Sequence, residues 1–343
     1  MNKILIIKPS GIGDIVHSLP VIYGLKKLYP DVKIDWLVFS KFAKILHNIP
    51  QVDELIQWDR QGGLKEYREV IKLVRSEKYD LLIDLQGLMR TAIVSYFSGA
   101  KKRIAVSLLR EFAWLLEKPV EKFDKCLHAV DRNYGVVKLL GAAQGKTLSQ
   151  PSEYLPWMHF TEKETKSAEE FLSISSKDSG ATPGKPFVVF VTTSRGLHKV
   201  WPYRNFTNLI KLALSKYDFI PVFLGMKGEE EYVHKISGSL NTEYIDLTGR
   251  TDLRTACAVI SRCKLVVGND TALIHIAAAL GVPVIGLYGA TDPAQVGPYG
   301  EKNTVILNKL SCWPCGIKSN CKVNRCMMGI LPEDVFTAMK KYL

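Results

Sequence analysis

The chain has 343 residues, of which 47% are hydrophobic and 23% charged, and its formal net charge is +12. This length suits two domains with separate cores. No apolar run reaches the roughly 18 residues of a membrane-spanning helix, and the N-terminus lacks a signal-peptide pattern, so we expect a cytoplasmic protein. The positive charge favours an anionic partner, which is a nucleic acid, a phosphorylated small molecule or an acidic membrane surface.

The first half of the chain alternates short apolar runs with amphipathic stretches. The predicted strands are 4–8, 33–39, 54–58 and 79–87, and the predicted helices are 14–28, 41–48 and 66–79. Pro20 interrupts the first helix, where we expect a kink or a second helix start capped by Ser18. The strand–helix alternation is typical of a parallel sheet covered by helices.

A proline-rich, polar stretch near residues 150–185, which contains a predicted helix at 162–173, has the composition of a linker. Beyond it the alternation resumes. The predicted strands are 186–193, 219–225, 243–249, 264–270 and 282–289, and the predicted helices are 205–217, 253–263, 271–281 and 330–343.

The sequence therefore predicts an α/β fold of two Rossmann-like, doubly wound domains facing a central cleft. We place the domains at 1–165 and 166–343. Open parallel sheets bind their ligands at the carboxyl ends of the strands, so the residues at those ends are the candidates for function.

The first strand runs into a glycine turn, GIGDIVHS at 11–18, that delivers Asp14. The turn fails the dinucleotide fingerprint G-x-G-x-x-G because Val16 occupies the third glycine position. Two interpretations of Asp14 remain. It caps the helix and complements the helix dipole, or it contributes chemistry with a second site on the other domain.

Three strand ends of the second half collect groups that suit a nucleoside diphosphate. The residues concerned are Thr192, Thr193, Lys199, Glu229, Asp270, Thr271 and Ala272. Free N–H groups at a helix start, with a hydroxyl side chain, hold phosphates, a lysine adds a point charge, and Glu229 offers an acceptor for ribose hydroxyls. The chain has no P-loop motif G-x-x-x-x-G-K-[ST].

Together these segments resemble the ADP-heptose:lipopolysaccharide heptosyltransferases, which are inverting glycosyltransferases of the two-Rossmann GT-B type. The resemblance covers nearly the whole chain and is carried by IIKPSGIGDIVHSLP, DLQGLMRTAIVS, TTS…K-x-WP, NDTALIHIAAALGVPVIGLYGATDP and PYG at 298–300. Two departures are Ala272, where the family commonly has glycine, and a longer loop from Thr193 to Lys199.

The resemblance implies roles for individual residues. Asp14 corresponds to the catalytic base, and the donor-binding positions fall on Lys199, Glu229, Asp270, Thr271 and His275. An inverting transfer needs the base opposite the leaving diphosphate, whose growing charge Lys199 and the N–H groups at 271–273 would stabilise. We expect no required cofactor and no catalytic metal.

The stretch 89–125 interleaves basic and aromatic residues, and we expect it to serve the acceptor. The predicted acceptor-binding residues are Gly13, His17, Arg90, Lys101, Lys102, Arg103 and Arg110. His17 has the alternative of helix packing. A nucleic-acid-binding protein is the rival class, but the chain has no recognised nucleic-acid module. A lipid carrying acidic sugars and phosphates, at the inner face of the inner membrane, fits better.

Within the family, the segments REF at 110–112 and HAVDRN at 128–133 resemble heptosyltransferase I, which adds heptose to a Kdo residue. We therefore expect a lipid A–Kdo acceptor and no nucleic acid partner. Transfer to another heptose or to a protein is the alternative.

Four of the seven cysteines cluster near the C-terminus in the spacing C-x2-C-x5-C-x4-C. They are Cys312, Cys315, Cys321 and Cys326. This spacing is compatible with a structural zinc or iron site or with free cytoplasmic thiols. We favour free thiols and no bound metal.

Overall fold

The computed structural model describes residues 1–106, 108–119, 124, 126–178, 184–315, 321 and 323–343. Parts of the predicted linker, of the basic-aromatic stretch and of the cysteine cluster lie outside these residues. The chain forms two compact units, Met1–His159 and Phe160–Leu343. Residue 165, where we expected the first domain to end, lies inside a helix of the second unit, Glu162–Asp178.

The first unit contains a five-stranded parallel sheet in the order β3-β2-β1-β4-β5. Its strands are β1 (Lys3–Ile7), β2 (Lys33–Phe39), β3 (Glu54–Trp58), β4 (Leu81–Asp84) and β5 (Lys102–Ala105). The central strand reads as one continuous apolar run because helices cover both faces of a parallel sheet, and Ile4 to Ile7 are fully buried. In the register, Ile7 pairs with Asp84, which brings the glycine turn beside the end of β4.

Five helices surround this sheet. They are α1 (Ile12–Val16), α2 (Pro20–Leu28), α3 (Gly63–Ser76), α4 (Met89–Phe97) and α5 (Ala129–Ala142). The predicted helix 14–28 is thus divided at Pro20, as expected, since proline is tolerated at a helix start. The predicted cap was wrong. Leu19 is the N-cap residue of α2, and the Ser18 hydroxyl instead donates to the carbonyl of Asp14 at 2.8 Å.

The second unit contains a six-stranded parallel sheet in the order β11-β10-β9-β6-β7-β8. Its strands are β6 (Phe187–Val191), β7 (Ile220–Phe223), β8 (Ile245–Asp246), β9 (Leu265–Asn269), β10 (Val284–Tyr288) and β11 (Asn303–Leu307). The strand β11 was not predicted, and β8 spans two residues where a strand over 243–249 was predicted. Val191 pairs with Gly268, so the ends of β6 and β9 adjoin.

The helices of the second unit are α6 (Glu162–Asp178), α7 (Tyr203–Leu214), α8 (Glu230–Ser237), α9 (Leu253–Ser261), α10 (Ala272–Ala279), α11 (Pro293–Val296), α12 (Arg325–Met328) and α13 (Pro332–Met339). The core packs around Trp201, which is fully buried and whose indole N–H donates to the carbonyl of Ile330 at 3.0 Å. Two Rossmann-like units are therefore confirmed.

Within the described part of the chain, none of the helices combines the length and the apolar character that a membrane span requires.

Candidate active site

Asp14 lies in the first turn of α1, on the exposed surface of the first unit. Gly11 starts this turn with a φ of 80°, a conformation that suits glycine. A Cβ on Gly11 would lie 2.4 Å from Asp14 Oδ2. Two features therefore require glycine at position 11. One is the backbone conformation, and the other is the space that the Asp14 carboxylate occupies.

Cationic side chains stand within electrostatic reach of Asp14. Lys8 is 7% exposed, and its Nζ donates to the carbonyl of Leu85 at 2.9 Å. Burial lowers the pKa of Lys8, while the charge of Asp14 acts to raise it. Burial also lowers the pKa of Arg132 against the opposing effect of Asp14. Lys8 and Arg132 lie in segments that resemble the family, but no role was predicted for either residue.

His17 follows Asp14 by one helical turn but points into the first unit. It is 3% exposed, and its ring centroid lies 5.2 Å from that of His128 in an edge-to-face arrangement. Gly13, also predicted for the acceptor, is partly buried within α1. The location of His17 agrees with the packing alternative.

The predicted acceptor-binding cations divide between the two edges of the first sheet. Arg90 and Arg110 follow the carboxyl ends of the strands, and the Arg110 N–H donates to the carbonyl of Gly87 at 2.8 Å. Lys101 and Lys102 precede or begin β5 at the opposite edge, where Lys101 Nζ lies 2.6 Å from Asp80 Oδ1. The structure therefore does not bring Lys101 and Lys102 to Asp14.

Arg103 also lies on β5, and its guanidinium stacks 5.1 Å from the ring centroid of Tyr96. Arg90 lies 4.0 Å from Glu111. Of the predicted cations, Arg90 and Arg110 thus remain the candidates for an anionic acceptor beside Asp14, together with the newly found Arg132.

A buried pair of carboxyl groups lies below this edge of the sheet. Asp84 is fully buried and Glu117 is 6% exposed. Asp84 Oδ1 accepts from the N–H groups of Gln86 at 2.7 Å and Gly87 at 3.2 Å. Burial and the nearby charge of Asp84 raise the pKa of Glu117 to about 8. At neutral pH, Glu117 is the protonated member of the pair, because two adjacent buried carboxylates repel each other.

Because of this pair, we expect the free energy of unfolding to depend on pH. Unfolding exposes Glu117, which then ionises near its ordinary pKa of 4.5. Between that value and about 8 the unfolded chain has released a proton that the folded chain retains, so stability falls as pH rises through this window. In Glu117→Gln, we expect the loss of unfolding free energy from about pH 6 to about pH 9 to be smaller by roughly 2 kcal/mol.

Urea unfolding at both pH values measures this difference. Glu69→Gln, an exposed change on α3 of the same unit, is the matched control and should follow the unmodified protein. Parallel pH profiles for the unmodified protein and Glu117→Gln would contradict the prediction.

The second unit gathers its candidate groups around Asp270, directly after β9. Lys199 Nζ lies 2.5 Å from Asp270 Oδ2, and the hydroxyl of Thr291 donates to the same oxygen at 2.7 Å. His275 Nε2 lies 3.7 Å from Asp270 Oδ1. These four side chains are all less than 10% exposed, at 9% for Lys199 and 8% for the other three. Thr291 belongs to the GATDP segment and had no predicted role.

Burial by itself would raise the pKa of Asp270. The hydrogen bond and charge of His275, followed by the charge and hydrogen bond of Lys199, outweigh burial and hold the pKa well below its usual range. Asp270 is therefore ionised at neutral pH and fixes the lysine and the imidazole in place. We call Lys199, Asp270, His275 and Thr291 the aspartate cluster.

Close contact between β6 and β9 shapes the surroundings of this cluster. A Cβ on Gly268 would lie 2.5 Å from the carbonyl oxygen of Val191, so glycine permits the approach. Asn269 then bridges the two strand ends, since its Nδ2 donates to the carbonyl of Thr192 at 2.7 Å and its Oδ1 accepts from the N–H of Trp201 at 2.9 Å.

Thr271 is the N-cap residue of α10, and its hydroxyl accepts from the N–H of Leu273 at 3.2 Å. Ala272 opens the helix, and both residues are partly exposed, as is Thr193. The helix start thus presents backbone N–H groups and a hydroxyl beside the buried lysine. This combination suits an anionic group such as a diphosphate.

Glu229 lies at the end of the loop after β7 and is partly buried. Its Oε2 accepts from the N–H of Met226 at 2.7 Å. A single hydrogen bond leaves further lone pairs on this carboxylate for hydroxyl donors.

The turn that carries Lys199 is held by the C-terminal segment. Lys199 ends a short 3-10 helix, Leu197–Lys199. The side-chain amide of Asn324 donates to the carbonyls of Val200 at 2.6 Å and Leu197 at 3.3 Å. Asn324 lies between Cys321 and Cys326, so the cysteine-containing segment contacts the Lys199 turn directly.

The four clustered cysteines are present as thiols, with Cys312 and Cys321 exposed, Cys315 partly exposed and Cys326 buried. Burial, with smaller effects from Cys315 and Cys321, raises the pKa of Cys326. Within the described residues, no group of three or more His, Cys, Asp or Glu side chains is placed to hold a metal ion.

Comparison with known proteins matches the chain to one family. Residues 67–325 match the family described as Glycosyltransferase family 9 (heptosyltransferase). Lipopolysaccharide heptosyltransferase 1 of Escherichia coli (strain K12) is 28% identical over 319 residues, which cover 88% of this chain and 92% of that protein. Lipopolysaccharide heptosyltransferase 2 of the same strain is 29% identical over 325 residues, which cover 89% and 87%.

The fold comparison agrees with the sequence matches. The structure of E. coli ADP-heptose lps heptosyltransferase II superposes with a TM-score of 0.76 at 25% identity, covering 99% of this chain and 98% of that one. The fold and the enzyme class expected from the sequence are confirmed. This chain belongs to glycosyltransferase family 9, the heptosyltransferase family, and is a glycosyltransferase.

Proposed function

We propose that the protein transfers a heptose from ADP-heptose, with inversion, to the inner core of lipopolysaccharide. The observation that carries the proposal is the aspartate cluster at the start of α10, which joins a buried lysine to the N–H groups of a helix start. Such a site suits the diphosphate of a nucleotide sugar. Relatives of this chain include lipopolysaccharide heptosyltransferases 1 and 2, and one similar solved structure is an ADP-heptose heptosyltransferase.

In the proposed reaction, Asp14 accepts the proton of the acceptor hydroxyl. The hydroxyl oxygen forms a bond to the anomeric carbon while the bond from that carbon to the diphosphate breaks, and the electron pair leaves with ADP. Lys199 and the N–H groups at 271–273 stabilise the charge that grows on the diphosphate. Thr193 and Thr271, which are partly exposed, orient the phosphates, whereas the predicted Thr192 is 1% exposed and supports Asn269 through its carbonyl. Glu229 accepts from the ribose hydroxyls.

We further propose a Kdo residue on lipid A as the acceptor, as for heptosyltransferase I. The support is the REF segment, which contains Arg110, and the HAVDRN segment, which contains Arg132. Both arginines lie near the Asp14 edge of the first sheet, where they suit an acidic sugar. Relatives of types 1 and 2 match at 28% and 29% identity, so identity does not separate the two acceptors, and a heptose acceptor is the second candidate.

The natural location proposed for this reaction is the cytoplasmic face of the inner membrane, where the lipid acceptor would be presented. The net charge of +12 supports attraction to anionic lipid.

A direct assay tests the function. The protein is incubated with ADP-heptose and, separately, with lipid A acceptors that end in Kdo or in heptose, and the products are weighed by mass spectrometry. We expect a mass gain of one heptose on the Kdo-terminated acceptor. A gain only on the heptose-terminated acceptor would reassign the protein to type II, and no gain on either would refute the proposal.

A further inference from the structure

The loop that follows β5 carries three large apolar side chains in water. Phe112 is 67% exposed, Trp114 is 59% exposed and Leu115 is 61% exposed. We call these three residues the apolar turn. We propose that the apolar turn inserts into the surface of an anionic lipid bilayer and holds the Asp14 edge of the first unit against the membrane.

The apolar turn is a fixed structure. Its short 3-10 helix, Ala113–Leu115, is anchored by Ala113, which is fully buried. The Ala113 N–H donates to the carbonyl of Arg110 at 3.0 Å, and the Leu116 N–H donates to the carbonyl of Ala113 at 3.0 Å. The exposed side chains therefore project from an anchored backbone and need little ordering on contact with a partner.

The backbone just before the short helix forms a tight turn. Glu111 and Phe112 adopt the left-handed conformation, with φ values of 54° and 63°. Together with the hydrogen bond from the Ala113 N–H to the Arg110 carbonyl, these values are those of a type I′ turn. The turn fixes the backbone from which the Phe112 ring projects.

The charge around the apolar turn identifies the kind of partner. Arg110 and Lys118 flank it and are exposed, and the exposed carboxylate of Glu111, directly before Phe112, lies 4.0 Å from Arg90. Aromatic side chains flanked by cations are typical of surfaces that lie in the headgroup region of anionic membranes. A second copy of this chain would present the same cations, and the net charge of +12 on each copy disfavours that contact.

The apolar turn also lies beside the proposed reaction site. Arg110 and Asp14 both act electrostatically on Lys8, so the loop carrying the turn adjoins the catalytic edge. Docking there would present a lipid-borne acceptor to Asp14. The inference depends on the proposed function only for this last step, because vesicle binding itself requires no acceptor.

Sedimentation with vesicles tests the docking. We expect the protein to bind vesicles of phosphatidylethanolamine with phosphatidylglycerol, and to bind pure phosphatidylcholine vesicles weakly. The double variant Phe112→Asn/Trp114→Gln should lose at least about tenfold in affinity for the anionic vesicles. Asparagine tolerates the left-handed conformation, so this variant should keep its melting temperature. Leu64→Ser, at a 77% exposed leucine on α3, is the matched control and should bind like the unmodified protein.

Fluorescence provides a second readout. Of the six tryptophans, Trp114 is exposed, Trp313 is partly exposed and the other four are buried. The emission of Trp114 should therefore shift to shorter wavelength when anionic vesicles are added, and Trp114→Phe should abolish the shift. Equal vesicle binding by the double variant, or no shift, overturns the proposal. Concentration-dependent dimerisation that the double variant abolishes would overturn it in favour of a second copy.

The two proposals fail in different ways. On a water-soluble acceptor without acyl chains, Trp114→Gln, which lies outside the REF segment, should transfer heptose as fast as the unmodified protein, and on a vesicle-embedded acceptor at least about fivefold more slowly. If the unmodified protein transfers nothing to the soluble acceptor, the proposed function fails while vesicle binding still tests the docking.

Discussion

Replacing Asp14 with asparagine is expected to lower turnover at least about 100-fold while ADP affinity changes by no more than a few-fold. Asparagine keeps the size of the side chain that fits beside Gly11 but cannot accept the acceptor's proton. The groups proposed to bind ADP lie in the second unit, so their affinity should be preserved. Initial rates with ADP-heptose and the Kdo-terminated acceptor measure the first effect, and calorimetric titration with ADP measures the second.

Asp31→Asn is the control for this variant. Asp31 is also an exposed aspartate of the first unit, but it precedes β2 at the opposite edge of the sheet, and its replacement should leave both quantities unchanged. If Asp14→Asn retained most of its turnover, or lost ADP binding instead, the interpretation of Asp14 as a helix-capping residue would be preferred.

Replacing Lys199 with alanine is expected to have two large effects. The first is weaker ADP binding by about 1.5–3 kcal/mol, the range for a hydrogen bond to a charged group. The second is a loss of about 3–5 kcal/mol in stability, because Asp270 would remain buried without its lysine. Calorimetric titration and urea unfolding separate the two effects.

A surface pair of the same unit provides the comparison. Lys185 lies 2.9 Å from Asp218, whose side chain is 74% exposed, and Lys185→Ala should leave ADP affinity and stability unchanged, since solvent screens such pairs. Unchanged ADP affinity in Lys199→Ala would mean that another cation, such as Arg195, holds the diphosphate. Unchanged stability would mean that water replaces the lysine beside Asp270.

The parallel sheets could be predicted because their strands are continuous apolar runs, as in Ile4–Ile7. The glycine turn at the end of the first strand identified Asp14 as a candidate residue. The strand β5 could not be predicted, since only Ile104 and Ala105 of its four residues are buried. Without that strand, Lys101 and Arg110 could not be assigned to opposite edges of the sheet. The stretch 89–125 was therefore predicted to form one surface. Which of its cations lie near Asp14 depends on whether they precede or follow β5, a strand that was not predicted.

Contacts between segments that are distant in the sequence could not be predicted either. Lys199 and Thr291 are far apart in the sequence, and both were visible only as polar residues after strands until the fold placed them on Asp270. The burial of Glu117 was hidden for the same reason, because a glutamate in a basic stretch normally faces water. Its neighbour Asp84 comes from a different strand, so no local pattern reveals the pair.

The amide of Asn324 links the C-terminal segment to the proposed nucleotide site. Because it donates to the carbonyls of Leu197 and Val200, any rearrangement of the backbone around Asn324 that releases this amide also releases the turn carrying Lys199. Thermodynamic linkage is reciprocal. If the proposed nucleotide binds more tightly when Asn324 holds the turn, it must stabilise that contact by the same factor, and the C-terminal segment would then respond to nucleotide binding.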